Sequence, residues 1–366
     1  MGLRIAIAVD TWHAHFRRIV LGVHAWARAH GASVVHVDPG VGPEAMAGAD
    51  GAVIQTRDHA LRRRFVAAGL PAVVVSGRGQ PGILPLVLPD DRAAGRMAAE
   101  HLIGLGLRRF AMVGHGSDAY FARERGLGFR AALGGRPLVE ESDFVRLLAD
   151  GCGAIGVFGV NDHAARWVCE AARGHGLGVP DPVAVIGVDD DEFFVETAPV
   201  PLSSVRLDSR SQGWQAAELL DRLRRGERVA PVPHLVPPVR VIERGSSDVL
   251  HVDDPRLRLV LAAMRGPEGL RLDIGAACRR SGISRRACER ALRQALGTSP
   301  AAELTRLRML RARELLGESD LVAGDIAIAC GYASRRAFTR AFTREHGASP
   351  ETWRQQARAG LLRTTS

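Results

Sequence analysis

Two sets of side chains in this 366-residue chain are spaced for chemistry. The first is a run of arginines met twice: Arg285, Arg286 and Arg290 with Glu289, and fifty residues on, Arg335, Arg336 and Arg340 with Thr339. Guanidinium groups within one helical turn present forked donors that fit a phosphate or the edge of a guanine, and a carboxylate such as Glu289 fits the amine of a cytosine. Spacing does not say which arginine meets a base and which a phosphate. The second set is scattered: Asp10, Trp12 and Phe16, then Arg125, Asn161, Asp162 and Asp189. Carboxylates and amides pair with vicinal hydroxyls, an aromatic covers the apolar face of a sugar ring, and an arginine adds a charged donor, so this set suits a small polyhydroxylated ligand. Each member also has a plainer reading. Asn161 or Asp162 would cap a helix, Arg125 would be solvated, and Trp12 would lie in the core.

The elements that must carry the first set can be read around it. Residues 284–300, SRRACERALRQALGTSP, recur at 334–350 as SRRAFTRAFTREHGASP, with nine identities. Each copy reads as a helix with a Ser N-cap, an arginine pair in its first turn, and a Gly stop before Ser-Pro. Cys288 and Leu292 in one, and Phe338 and Phe342 in the other, take the inward positions. A shorter apolar helix and a Gly-containing turn precede each copy, at 274–282 and 325–331, which makes helix-turn-helix twice. Between the copies, 301–316 reads as one amphipathic helix about 24 Å long at about 1.5 Å per residue. Such a spacer sets two reading helices about one DNA turn apart, roughly 34 Å, so that one monomer reads two successive grooves. Charge agrees. Residues 251–366 hold 21 Arg against 12 acidic residues, and residues 1–250 hold 28 against 28, so the whole excess of +9 lies in the last third. That asymmetry is the footprint of nucleic-acid binding. The chain has no Lys, but a coding bias toward Arg would load both parts equally.

The second set calls for a different scaffold. Apolar strand-like runs at 4–9, 33–37, 51–54, 72–75, 109–113, 154–157 and 183–188 alternate with helical periodicity at 17–30, 58–68, 92–105, 121–133 and 162–175. This alternation predicts parallel sheets covered on both faces. Ligands of open α/β sheets sit at the carboxyl ends of strands, where Asp10 and Trp12, Asn161 and Asp162, and Asp189 fall. Gly151, Gly153 and Gly156 fit a phosphate-cradling G-x-G-x-x-G, but they precede a strand instead of following one, which speaks against a nucleotide. The five Cys are scattered without C-x-x-C spacing and read as reduced core thiols, with no metal site and no cofactor expected. No run approaches eighteen apolar residues and no signal-peptide pattern opens the chain, so a soluble cytoplasmic protein without membrane contact is expected.

Two families are resembled. Residues 258–354 are similar to the DNA-binding domain of AraC-type regulators, through Ile326, Ala327, Gly331, Tyr332, Ser334, Phe338, Arg340, Phe342, Gly347, Ser349, Pro350, Trp353 and Arg354. Tyr332 stands for the usual Phe, Thr343 where Lys is common, and Cys288 where Leu is frequent. Residues 1–245 resemble the periplasmic-binding-protein-like sensor of LacI/GalR-type regulators. The carriers are R-x-x-G-F-x-x-A-L at Arg125, Gly128, Phe129, Ala132 and Leu133, N-D-x-x-A at Asn161, Asp162 and Ala165, and V-I-G-x-D-D from Val185 to Asp190, then P-L-S-S-V from Pro201. The resemblance implies sugar contacts at Arg125, Asn161 and Asp189. The fusion of the two, with V-P-P-V-R-V-I-E-R at 236–244, resembles the xylose-operon type of regulator.

The expected fold is therefore an α/β sensor of two doubly wound parallel-sheet subdomains over 1–245, a linker over 246–256, and an all-α tandem helix-turn-helix domain over 257–366. The expected function is sequence-specific control of carbohydrate-utilisation genes by a homodimer whose sensor closes on a sugar such as a pentose. Operator DNA is the macromolecular partner, and activation through RNA polymerase is implied by resemblance alone. No enzymatic activity is expected. One departure stands out: only about twenty residues separate Leu133 from Ala154, where such sensors fit a further strand and helix, so part of the ligand wall is expected to be missing. This keeps alive a ligandless sensor used only for dimerisation or protein contact. A Rossmann-type enzyme fused to a DNA reader is the other rival, but Asp10-Thr11-Trp12-His13 after the first strand lacks the required glycines.

Overall fold

The computed structural model describes residues 2–76, 83–114, 119–249, 252, 254–266 and 268–359. It divides into two compact units, Met1–Val249 and Leu250–Ser366. The first unit opens with β1 (Arg4–Ala8), α1 (Ala14–His30), β2 (Ser33–His36), β3 (Gly51–Gln55), α2 (His59–Ala67), β4 (Ala72–Ser76) and β5 (Leu86–Pro89). It continues with α3 (Asp91–Gly104), β6 (Phe110–Val113), α4 (Tyr120–Leu133), β7 (Leu138–Val139), α5 (Glu141–Ala149), β8 (Ile155–Gly159) and α6 (Asp162–Gly174). The unit closes with β9 (Val183–Val188), α7 (Glu192–Thr197), β10 (Ser203–Leu207), α8 (Ser209–Arg224), β11 (Pro233–Val236) and β12 (Pro238–Ile242).

These strands build two six-stranded sheets, ordered β11-β5-β4-β3-β1-β2 and β12-β10-β9-β8-β6-β7. Every pairing is parallel except β10 with β12. Parallel strands covered on both faces must be apolar throughout, and all six residues of β9 are buried. The chain passes between the sheets after β5, after β10 and after β11. At the first two passages an aspartate ends the crossing and caps the next helix: Asp90 accepts from the Ala93 N–H at 2.9 Å and Asp208 from the Ser211 N–H at 3.1 Å. Helix α8 then buries Ala216, Ala217 and Leu220 against Ile5, Val53 and Val73 of the first sheet. Helices α3 and α4 meet backbone to backbone, because a Cβ at Gly95 would collide with the Arg125 carbonyl and one at Gly128 with the Arg92 carbonyl.

The stretch between Leu133 and Ile155 corrects the expectation of a missing strand and helix. Gly134 and Gly135, both at positive φ (58° and 82°), turn the chain directly from α4 into β7. This two-residue strand pairs parallel with β6, and α5 buries Phe144 and Leu148, four residues apart on one face. Both elements are present, as a two-residue strand and a nine-residue helix. Gly151 and Gly153 lie in the loop before β8, and Gly156 lies within the strand, where an added Cβ would meet Leu107, so these glycines serve chain packing. At the end of the unit, Ser246 and Ser247 are buried: Ser246 Oγ donates to the Val185 carbonyl at 2.7 Å and accepts from the Ser203 N–H at 2.8 Å. The expected linker thus begins inside the sensor packing, and its residues 250, 251 and 253 lie outside the described residues.

The second unit is helical: α9 (Pro255–Arg265), α10 (Ile274–Arg280), α11 (Arg285–Leu296), α12 (Pro300–Glu318), α13 (Ala323–Ala329), α14 (Arg335–His346) and α15 (Pro350–Ala359). Helices α11 and α14 are the repeated segments. Ser284 and Ser334 each accept from the N–H three residues on at 3.2 Å, and Gly297 and Gly347 end the helices in left-handed geometry. Helix α12 is nineteen residues long, about 28 Å at about 1.5 Å per residue. It ties the copies together. Buried Glu303 accepts from Arg265 of α9 at 3.1 Å, while Met309, Ala312 and Leu316 enter the core formed by Ile326, Phe338, Phe342 and Trp353. The turn at Gly331 lies against the segment between α9 and α10 so closely that a Cβ there would strike the Leu270 carbonyl, and its φ of 74° also requires glycine. No helix among the described residues is long and apolar enough to cross a membrane, and all five cysteines are buried free thiols.

Candidate effector site and nucleic-acid interface

Where the carboxyl ends of the two sheets face each other, a cavity of about 200 Å³ is lined by His15, Phe16, Arg57, Asp91, Tyr120, Phe121, Arg125, Asn161 and Asp189, among others. Arg125 organises it. Its Nε donates to Asp91 Oδ1 at 2.8 Å, one Nη to the Val160 carbonyl at 2.7 Å and the other to Asp189 Oδ1 at 3.0 Å, while the guanidinium lies 4.9 Å from the Phe121 ring centroid. The side chain is buried. Burial lifts the Asp91 carboxyl to about 6 even with the guanidinium against it, so it is ionised at neutral pH. Burial also lowers His15 to about 4, against the pull of Asp189, so the imidazole is neutral; its Nδ1 lies 2.7 Å from Ser209 Oγ. The Arg125 guanidinium is thus matched by two carboxylates, and Arg57 is a second cation in the lining.

Four of the seven expected ligand residues line this cavity: Phe16, Arg125, Asn161 and Asp189. Asn161 does double duty, because its Oδ1 caps α6 by accepting from the Ala164 N–H at 2.9 Å. Asp162 does not reach the cavity and corrects the expectation. Its carboxylate is buried behind the wall, accepting from Ser204 Oγ at 2.6 Å and from the Asp191 N–H at 2.8 Å, where burial raises its pKa well above the usual range. Asp10 and Trp12 line a different concavity beside β1, and Trp12 is 86% exposed, so it covers nothing in the inner cavity. Asp91 and His15 were not anticipated from sequence. Asp91 reads locally as a helix-start acid and His15 as one of four histidine or aromatic residues, with Trp12, His13 and Phe16, around the start of α1.

The cavity is held shut from one side. The first N–H of α1, at Ala14, donates to Asp191 Oδ2 at 2.7 Å, and Arg18 donates to the carbonyls of Asp189 at 2.8 Å and Asp190 at 2.7 Å. Helix α1 packs on the first sheet and the 189–192 loop belongs to the second, so these bonds span the cleft. Asp189 and Asp190 have φ of 109° and 51°, a conformation that Asp tolerates better than most residues but that still requires outside support. The Arg18 bonds, with the Asp189 N–H to the Val205 carbonyl at 3.0 Å, supply it.

In the second unit, Arg285, Arg286, Arg290, Arg335, Arg336 and Arg340 are exposed on α11 and α14, while Glu289 and Thr339 are half-buried. Cys288, Leu292, Phe338 and Phe342 are buried on the opposite face. Two of the arginines already have partners: Arg285 Nε donates to Glu289 at 3.1 Å and Arg335 to Glu351 of α15 at 2.8 Å. Arg286 and Arg336, in the first turn of each helix, stand at equivalent positions of the repeat.

Comparison with known proteins follows this geometry closely. Residues 5–150 match the family of periplasmic binding proteins and the sugar-binding domain of the LacI family, residues 99–247 a periplasmic binding protein-like domain, and residues 277–356 a helix-turn-helix domain. The xylose operon regulatory protein of Escherichia coli (strain K12) is 28% identical over 328 residues, covering 83% of each chain. A solved structure described as the xylose-binding transcription activator xylR covers 97% of this chain and 98% of its own, with 26% identity and a TM-score of 0.61. The Lac repressor dimer bound to operator and an anti-inducer shares the sensor fold, at 22% identity over 69% of this chain and 95% of its own, with a TM-score of 0.56. An α/β sensor of two parallel sheets joined to paired helix-turn-helix units, matched along nearly its whole length, makes this chain a member of the AraC-type helix-turn-helix transcription regulators that carry a LacI-type periplasmic-binding-protein sensor.

Proposed function

We propose that this regulator binds an uncharged monosaccharide, such as a pentose, in the cleft between its two sheets and thereby controls carbohydrate-utilisation genes. The saturation of Arg125 carries this reading. A guanidinium that already donates to two carboxylates and a carbonyl has little left for a phosphate or acid group, whereas Asp91, Asn161 and Asp189 offer acceptors and an amide to hydroxyls, beside the rings of Phe16 and Phe121. The relatives named for xylose support a sugar without determining which one. Residues 1–245 do the sensing and residues 257–366 the DNA reading, with Arg286, Arg290, Arg336 and Arg340 on operator DNA. The regulator works in the cytoplasm as a homodimer, as the Lac repressor does on its operator, and activates transcription through RNA polymerase. Cleft closure repositions the readers, and the sugar biases that equilibrium only by its differential affinity for the closed form.

A thermal-shift titration of the full chain with pentoses, hexoses, their phosphates and NAD tests the proposal. Ligand at 100-fold its dissociation constant adds about 2.7 kcal/mol to the sensor, a rise of several degrees. A selective shift with one neutral sugar is the expected result. A shift with a sugar phosphate would sink the charge argument. A flat panel would favour the second reading, a ligandless dimerisation module, for which the short stretch between Leu133 and Ala154 and the bonds already spanning the cleft speak.

A further inference from the structure

This inference rests on the reading of the cleft as a saccharide site. Beside the inner cavity, a second concavity of about 940 Å³ lies along the carboxyl ends of β1 to β4, lined by Asp10, Trp12, Asp38, Gln55, Asp58 and others. Arg57 and Ser76 line both, so the two share a wall. The inner cavity falls below the roughly 300 to 1,000 Å³ typical of sites for drug-sized ligands, which limits it to about one sugar ring. Anything longer must continue outward.

Trp12 stands where it would. An indole left 86% exposed forgoes the gain of burying a large apolar surface, yet its backbone is braced. The Trp12 N–H donates to Asp10 Oδ1 at 2.8 Å, its carbonyl accepts from Arg17 at 2.7 Å, and the Asp10 N–H donates to Gln55 Oε1 at 2.7 Å. Of the ionised side chains in this wall, Asp10, Asp38 and Asp58 outnumber Arg57, so an anionic ligand is disfavoured. An exposed indole on a braced backbone, among carboxylate, amide and hydroxyl groups, matches the C–H face and the hydroxyl rim of a pyranose. We infer that this outer groove is a second saccharide subsite beside the inner cavity, so the sensor takes, besides a monosaccharide in the cleft, a neutral di- or oligosaccharide whose terminal ring enters the cleft and whose next ring stacks on Trp12.

The test is isothermal titration of the full-length protein with two matched pairs, D-xylose against β-1,4-xylobiose and D-glucose against cellobiose. In at least one pair the disaccharide should bind about ten-fold tighter, a difference of about 1.4 kcal/mol. Trp12→Ala should reduce that ratio to about one, and Trp12→Phe should restore most of it. A ratio of one in both pairs with the wild-type chain, or a ratio that survives Trp12→Ala, would overturn the subsite. Monosaccharide binding without any disaccharide gain would leave the cleft reading standing alone. No binding by any of the four sugars would remove both.

Discussion

Arg125 in the sensor is buried and donates to Asp91, Asp189 and the Val160 carbonyl, whereas Arg286 and Arg336 in the reader stand exposed in the first turns of α11 and α14. The same side chain is used in opposite ways. Out of water, a guanidinium is tolerable only with its partners built in, and it then shapes a cavity instead of attracting charge. On an exposed helix it stays hydrated and available, and long-range attraction to phosphates becomes its work. The even balance of 28 Arg to 28 acids in residues 1–250 and the imbalance of 21 to 12 beyond express the same division.

If the contrast holds, the largest effect should come from breaking the buried set. Arg125→Ala strands the carboxylates of Asp91 and Asp189 and should destabilise the sensor by about 3 to 5 kcal/mol. That corresponds to a fall of roughly 10 °C in its melting transition. Effector response should vanish as well, and a melting curve like that of the wild type would show the triad to be dispensable. The reader should behave in the opposite manner. Arg286→Ala and Arg336→Ala should leave melting within about 0.5 kcal/mol of the wild type, as exposed substitutions do. Each should weaken operator binding by about 1 to 3 kcal/mol if it reads a base. An equal loss on random DNA would reassign them to phosphates.

The smallest effect is a pH signature of burial. His15 is lowered to about 4 from an ordinary 6.5, so between those values the unfolded chain binds a proton that the folded one refuses, and sensor stability is lost as pH falls through that window. Asp91, raised to about 6 from 3.8, acts in reverse, since its folded form holds a proton longer and stability is lost as pH rises from about 4 to 6. The two oppose each other. His15→Gln should remove the first and leave a sensor whose melting temperature improves, relative to the wild type, as pH drops from 6.5 toward 4. Parallel melting profiles for the two proteins across that range would show that His15 is not the buried neutral base.

Much of the reader could be seen in the sequence because its signals are local. Ser284, Ser334, Gly297 and Gly347 act within one turn of the helix ends they define, and Phe338 and Phe342 mark the inner face by spacing alone. The sensor was legible where strands are long and buried, as at β9, and illegible where they are short or proline-flanked. Strands β7, β11 and β12, of two, four and five residues, show too few alternations to be distinguished from loop, and β11 and β12 are each headed by a proline. Within the site, Arg125, Asn161 and Asp189 could be named from resemblance, but Asp162, beside Asn161 in sequence, faces the other way. Asn161 is the extended N-cap (φ −150°, ψ 175°) and Asp162 the first helical residue, so the change of backbone conformation between them sends the two side chains apart.

The sequence alone determined the longer buried strands, the reader's helices with their Ser caps, the duplication and the placement of charge, because those depend on residues within a turn or two of one another. Only the tertiary structure decided which carboxylates meet Arg125. Asp91 lies thirty-four positions away and arrives because α3 and α4 touch through Gly95 and Gly128. Asp189 lies sixty-four positions away and arrives because β9 ends beside β8 in one sheet, and Trp12 is left outside because α1 begins only two residues later. Those meetings are set by backbone packing across the whole unit, which no local pattern encodes.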